Sequence, residues 1–138
     1  MSAVSVLLVD DNDILAESMK RLLSRDDRFA WAGWIEDPSN LTEQVREAHP
    51  DVVLMDVDMP GVEPFELVRE LAASTPQAKV VMFSGHVRED YAESAIDAGA
   101  YGYLHKDDDL GAILDNLQRA HKGEIVLSPL VHRTLWRS

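Results

Sequence analysis

The sequence predicts an α/β fold built on one parallel sheet, and three observations predict it. Short apolar runs alternate with segments of helical period along the whole chain. The runs are apolar throughout instead of alternating with polar residues, as strands buried on both faces are. The connections are short, so each strand must pass to the next through a helix, and right-handed crossovers then lay helices on both faces of the sheet. The expected count is five strands and five helices, followed by a short C-terminal helix or tail.

The elements follow in order. Val4-Ser5-Val6-Leu7-Leu8-Val9, ended by Asp10-Asp11-Asn12, reads as a buried strand. Leu15, Met19, Leu22 and Leu23 recur at helical spacing, with Lys20, Arg21 and Arg25 in the last turns where cations suit the helix dipole. Phe29 to Ile35 is a second strand. Asp37-Pro38-Ser39 then opens a helix through Leu41, Val45 and Ala48 that stops before Pro50. Asp51 to Asp56 is the third strand, followed by the loop Met59-Pro60-Gly61 and a helix with Phe65, Val68, Leu71 and Ala72 on one face. After Pro76, Lys79 to Phe83 is a fourth strand, and Glu89 to Ala98 a helix ended by Gly99. Tyr101 to Leu104 is a fifth strand. Leu110, Ile113, Leu114, Leu117 and Ala120 mark a last long helix ended by Gly123.

Composition narrows the function classes. With 138 residues, a single core removes roughly two-thirds of the unfolded surface from water. The absence of cysteine excludes disulfides, thiolate metal sites and a cysteine nucleophile. No apolar stretch approaches the ~20 residues of a membrane span, and Met-Ser-Ala-Val-Ser lacks the basic start of a signal peptide, so the expected location is cytoplasmic. A net charge of −12 argues against bulk nucleic-acid binding. Cations gather slightly at the end, where Arg119, Lys122, Arg133 and Arg137 face Glu124, a balance of +3 that leaves −15 on the rest.

In open α/β sheets, ligands sit outside the carboxyl ends of the strands. The residues just after each apolar run are Asp10 and Asp11, Asp56, Ser84 and Lys106. Three crowded carboxylates repel one another, and a hard divalent ion relieves them. Magnesium suits one or two carboxylates completed by water and phosphate oxygens. An Asp carboxylate can itself be the nucleophile of phosphoryl transfer, with cations needed around the transferred group. Lys106 supplies one, Ser84 supplies a hydrogen-bond donor, and Gly85 leaves room for the group to enter.

Asp10-Asp11, Asp56 within Leu54-Met55-Asp56-Val57-Asp58-Met59-Pro60-Gly61, Ser84-Gly85 and Tyr103-Leu104-His105-Lys106, in this order at the ends of alternating strands, resemble a response-regulator receiver domain over about residues 4 to 122. The resemblance implies a flavodoxin-like fold with strand order 2-1-3-4-5. It implies that Asp56 is the phosphoacceptor, and that Asp11 and Asp56 bind Mg²⁺ directly together with the backbone carbonyl of Asp58, while Asp10 acts through water. Lys106 would pair with the phosphoryl group, Ser84 would shift to bond it, and Tyr103 would be the aromatic switch. Asp58 and His86 occupy the positions that tune the lifetime of the aspartyl-phosphate. The implied donor is a phosphohistidine on a sensor histidine kinase or a phosphotransfer protein. Modification would remodel the surface of the fourth helix, fifth strand and fifth helix, with a homodimer on activation as one outcome. Such a protein is a signalling receiver that catalyses only its own phosphorylation and dephosphorylation.

Gly102-Tyr103-Leu104-His105-Lys106-Asp107 and Gly123-Glu124-Ile125-Val126-Leu127-Ser128-Pro129 further resemble the subfamily whose receiver precedes a LuxR-type helix-turn-helix domain. Here the chain departs from the pattern. After Ser128-Pro129, which looks like a helix cap and first position, Leu130 to Ser138 are too few for a DNA-binding module. The expected division is a receiver over 1–122 and a linker or remnant C-terminal helix over 123–138, from a stand-alone receiver or one cut from a longer regulator.

Plainer readings compete at several positions. An Asp pair after a strand is commonly a helix cap. Asp58 reads as a turn former facing solvent, and Asp107-Asp108-Asp109 as a cap on the last helix. Tyr103 on an outer strand reads as half-buried packing. Trp31 and Trp34 have opposite parity and so should face opposite sides of the sheet, one in the core and one a surface anchor. The histidines have no ligand-like spacing. Leu130, Val131, Thr134, Leu135 and Trp136 outline a C-terminal helix that packs, or binds a partner. Two other functions stay in view. Asp56-Val57-Asp58 also resembles the nucleophile motif of Mg²⁺-dependent aspartate phosphohydrolases of the haloacid-dehalogenase type, and the domain could act as an interaction module independent of phosphorylation.

Overall fold

A computed structural model describes residues 3–86 and 88–131. The strands are β1 (Val4–Val9), β2 (Phe29–Ile35), β3 (Val52–Asp56), β4 (Lys79–Ser84), β5 (Gly102–His105) and β6 (Val126–Leu127). The helices are α1 (Asp13–Ser24), α2 (Leu41–Ala48), α3 (Pro64–Ser74), α4 (Glu89–Ala98) and α5 (Leu110–His121), with a 3-10 turn at Pro38–Asn40 before α2. All strand pairs are parallel, in the order β2-β1-β3-β4-β5-β6. The predicted α/β architecture is therefore present, extended by a sixth strand. Val126–Leu127 was expected as linker. Two apolar residues carry no pattern of their own, and their pairing partner lies across all of α5.

The sheet divides the interior in two. Leu7 and Val9 of β1 face a core with Leu41 and Val45 of α2, Val68 and Leu71 of α3, and Ala92 and Ala95 of α4. Val4, Val6 and Leu8 face the other core, with Ala16, Met19 and Leu23 of α1 and Ile113, Leu114 and Leu117 of α5. This two-sided burial is why β1, β3 and β4 read as unbroken apolar runs. The caps work as local chemistry dictates. The Asn12 side chain accepts from the N–H groups of Ile14 and Leu15 to start α1, and Asp37 caps the 3-10 turn through Ser39 N–H.

Two further expectations are corrected. Strand β2 carries an extra residue: Trp31 pairs with Val6, but Gly33 pairs with Leu7 and Trp34 with Leu8. The bulge at Ala32 restores the parity of the two tryptophans, so both face the side of α1 and α5. Neither is fully buried. Trp31 packs against that core, and Trp34 lines a shallow pocket with Asp13, Ile14 and Glu17 of α1. Tyr103, expected to be half-buried on an outer strand, is fully buried, because β6 makes β5 an inner strand. The rest of the C-terminal helix expected beyond Val131 lies outside the described residues.

Candidate functional site

Three strand ends converge at the carboxyl edge of the sheet. Asp10 follows β1, Asp56 ends β3, and Lys106 follows β5. Asp10 and Asp56 are buried, while Asp11 is exposed. Each of the three acids offers a carboxylate oxygen within 4.8 Å of the others. The Lys106 ammonium lies 3.0 Å from Asp10 Oδ2 and 3.3 Å from Asp56 Oδ1. Its backbone N–H is fixed by Ser84 carbonyl at 2.8 Å, so the ammonium is aimed from a rigid strand end.

A local turn holds one oxygen of each buried carboxylate. Asn12 N–H donates to Asp10 Oδ1 at 2.9 Å, and Asp58 N–H donates to Asp56 Oδ1 at 3.1 Å. The Trp34 indole N–H donates to the Asp10 carbonyl at 2.6 Å, which ties the bulged end of β2 to the site. Burial pushes the Asp56 carboxyl above the usual Asp range, and the Asp10 charge adds to this, against the opposing pull of Asp58 N–H and Lys106. For Lys106, burial disfavours the charged form, but hydrogen bonding and charge from Asp10 and Asp56 outweigh it and hold its pKa above the ordinary value.

Ser84 is occupied elsewhere. Its Oγ lies 3.0 Å from Asp58 Oδ2 and 2.7 Å from His86 carbonyl, so its single proton is shared between two acceptors, and it accepts from His86 N–H at 3.0 Å. Asp58, expected to face solvent, is exposed yet reaches across to the Ser84 hydroxyl. The Tyr103 hydroxyl donates to the same His86 carbonyl at 3.3 Å, so its ring already points inward, and burial raises its pKa. His86 contributes its backbone here.

The Asp triplet after β5 departs most from expectation. Asp109 is the N-cap residue of α5 but makes no side-chain cap bond, and Asp107 is exposed. Asp108 is buried and bridges two distant amides: Oδ2 accepts from His105 N–H at 3.0 Å and Oδ1 from Leu130 N–H at 3.3 Å. Sequence reasoning assigned this acid to the helix dipole. Its partner 22 residues away leaves no local signal.

A buried carboxylate pair, an exposed third acid and a lysine at the carboxyl ends of β1, β3 and β5 define an acidic pocket on a parallel-sheet scaffold. The chain belongs to the response regulator receiver domain family, whose model matches residues 6–118. It is 33% identical over 132 residues to the transcriptional regulatory protein DegU of Brevibacillus brevis, covering 96% of this chain and 56% of that protein. It is 32% identical over 132 residues to the response regulator GacA of Pseudomonas viridiflava, covering 96% of this chain and 62% of that protein. Among solved structures, a LuxR-family two-component response regulator from Aurantimonas sp. SI85-9A1 superposes with a TM-score of 0.90 at 28% identity, covering 99% of this chain and 97% of that one. The chain thus spans under two-thirds of the length of these two curated relatives. It is the receiver domain of a two-component response regulator. Among the described residues, no helix is long and apolar enough to cross a membrane.

Proposed function

We propose that Asp56 accepts a phosphoryl group from a phosphohistidine of a sensor histidine kinase or phosphotransfer protein. The observation that carries this reading is the charge imbalance around Asp56: three carboxylates offer oxygens within 4.8 Å of one another, and the ammonium of Lys106 contacts two of them, Asp10 and Asp56. An ammonium alone leaves the cluster negative, which suits a site completed by a divalent cation and a phosphoryl group.

In the reaction, an Asp56 carboxylate oxygen attacks phosphorus. The new O–P bond forms as the P–N bond to the donor imidazole breaks, and the bonding electron pair leaves with that nitrogen. Lys106 contacts Asp56 already and stands ready to meet the charge on the phosphoryl oxygens. Ser84 binds the transferred group once its hydroxyl leaves Asp58 and His86. The donor set fits Mg²⁺, with Asp11 and Asp56 as direct ligands beside the backbone carbonyl of Asp58, and Asp10 acting through water. The ion would supply charge neutralisation at the phosphoryl oxygens.

The whole protein, on this reading, is a phosphorylation switch acting on a partner or a second copy of itself, and its likeness to longer regulators extends the proposal to one that controls transcription. Residues 1–122 would be the receiver and 123–138 the linker or start of an output helix. Incubation with Mg²⁺ and a small acyl-phosphate donor should add one phosphoryl group by intact mass, and Asp56→Asn should gain none. No gain in wild type, or an equal gain in the variant, overturns the proposal. Sustained multiple-turnover release of phosphate from phosphoesters would instead point to a phosphohydrolase.

A further inference from the structure

The segment after α5 is fastened along β5 by several independent contacts. Val126 N–H donates to Tyr101 carbonyl at 2.9 Å and Ser128 N–H to Tyr103 carbonyl at 3.2 Å. Leu127 lies in register beside Tyr103 in the parallel pair, so the two side chains share a face of the sheet. Val126 crosses Gly102 so closely that a Cβ there would meet Val126 Cγ2 at 2.6 Å. Ser128 Oγ accepts from Val131 N–H and from His105 N–H, each at 3.3 Å. Asp108 joins His105 and Leu130 through its two oxygens. Val131 is fully buried in the same core as Tyr103.

His105 and Asp108 flank Lys106. The turn that aims the ammonium at Asp10 and Asp56 is therefore the same turn that holds Leu130. Asp108 N–H closes it on His105 carbonyl at 3.0 Å. A carboxylate buried among backbone amides has no need of metal or phosphoryl group, and its position is explained by what it ties together.

We propose that Asp108 and Ser128 staple residues 126–131 to the Lys106 turn, so that a shift of Lys106 toward a phosphoryl group on Asp56 loosens this segment. The inference rests on Asp56 being the phosphoacceptor. It makes the C-terminal segment itself the first output of the switch, because that segment covers the edge of β5 that a partner would otherwise meet.

Hydrogen–deuterium exchange on the full chain tests it, with intact mass read on the same samples. In unmodified wild type, the amides of Val126, Ser128, Leu130 and Val131 are the donors named above and should be protected. Asp108→Asn and Ser128→Ala should each speed exchange at Leu130 and Val131 by about tenfold, while Asp107→Asn, an exposed neighbour, should leave it unchanged. On phosphorylation, the same four amides of wild type should exchange about threefold faster or more, with β1 and β3 unaffected. In both staple variants that response should vanish, although their mass shows the phosphoryl group fully added. Unchanged protection in stoichiometrically phosphorylated wild type overturns the proposal, as do staple variants that exchange like wild type. A mass spectrum without the phosphoryl group overturns the reading of Asp56 and the transmission with it. The comparison of unmodified variants still decides whether Asp108 is a staple.

Discussion

Two clusters at the carboxyl end of β5 contrast in how they treat buried charge. At the carboxyl rim, Asp10 and Asp56 are held close together against one ammonium, and the Asp56 pKa is raised by burial and by its acidic neighbour. A few residues further on, Asp108 is also buried, yet each of its oxygens receives a backbone N–H. One carboxylate site is arranged for stability and the other keeps repulsion that a single ammonium relieves only in part. Such an imbalance persists where the surrounding scaffold holds it in place, and it is the feature on which the proposed phosphoacceptor role of Asp56 rests.

The largest expected effect falls on the satisfied side. Gly102 touches the backbone oxygen of Val126 at 2.9 Å as well as its side chain at 2.6 Å, counted from a Cβ that is not there. Gly102→Ala should therefore displace β6 and cost about 2–3 kcal/mol in urea unfolding. Adding Val126→Ala should restore only part of this, since the clash with the carbonyl remains. Full restoration would show that the side chain alone sets the approach.

On the strained side the sign reverses. Asp56→Asn removes a buried charge from beside Asp10, so it should stabilise the protein by roughly 1 kcal/mol at pH 7. Because the native pKa of Asp56 lies above the ordinary Asp value of 3.8 that an unfolded chain would show, the folded state favours the protonated acid. Wild type therefore holds this contribution at low pH and loses it as pH rises through the native pKa. The advantage of Asn should be absent below the unfolded pKa and grow to its plateau above the native one. Thermal melts across that range, in the absence of divalent ions, measure it. Equal stability at every pH would remove the claim that the rim is strained.

These two regions also differ in how far they could be read in advance. Asp10, Asp11, Asp56, Ser84 and Lys106 were legible because each directly follows an apolar run, and strand ends are defined by local pattern. The five expected strands were legible for the same reason. The bulge in β2 was not, since an inserted residue changes parity without changing composition, and it brings Trp34 to the same side of the sheet as Trp31. Strand β6 and the role of Asp108 were hidden because their partners are distant in sequence. A triplet of acids before a helix carries a strong local explanation, and burial by a later segment overrides it.

A smaller effect tests how the bulged strand serves the site. The Trp34 indole donates to the Asp10 carbonyl, and Trp34→Phe keeps the ring's packing while deleting the donor. A loss of about 0.5–1 kcal/mol in urea unfolding is expected. If stability is unchanged, the carbonyl is equally well served by water and the contact does not anchor the rim.

The smallest effect concerns the boundary between the two regions, where Ser84 is bound by Asp58. Asp58→Ala should speed phosphorylation by an acyl phosphate about threefold, for either of two reasons. It releases the Ser84 hydroxyl from one of its two acceptors, leaving the His86 carbonyl alone to hold it, or it removes a negative charge from the path of an anionic donor. A double-mutant cycle separates them. If Asp58 acts by holding Ser84, its removal changes nothing in a Ser84→Ala background, because no hydroxyl remains to be freed. If it acts by charge, the threefold gain persists there and shrinks as salt is raised. The 3.0 Å contact favours the first outcome, and a salt-sensitive gain in the absence of Ser84 would assign Asp58 to the electrostatics of the rim instead.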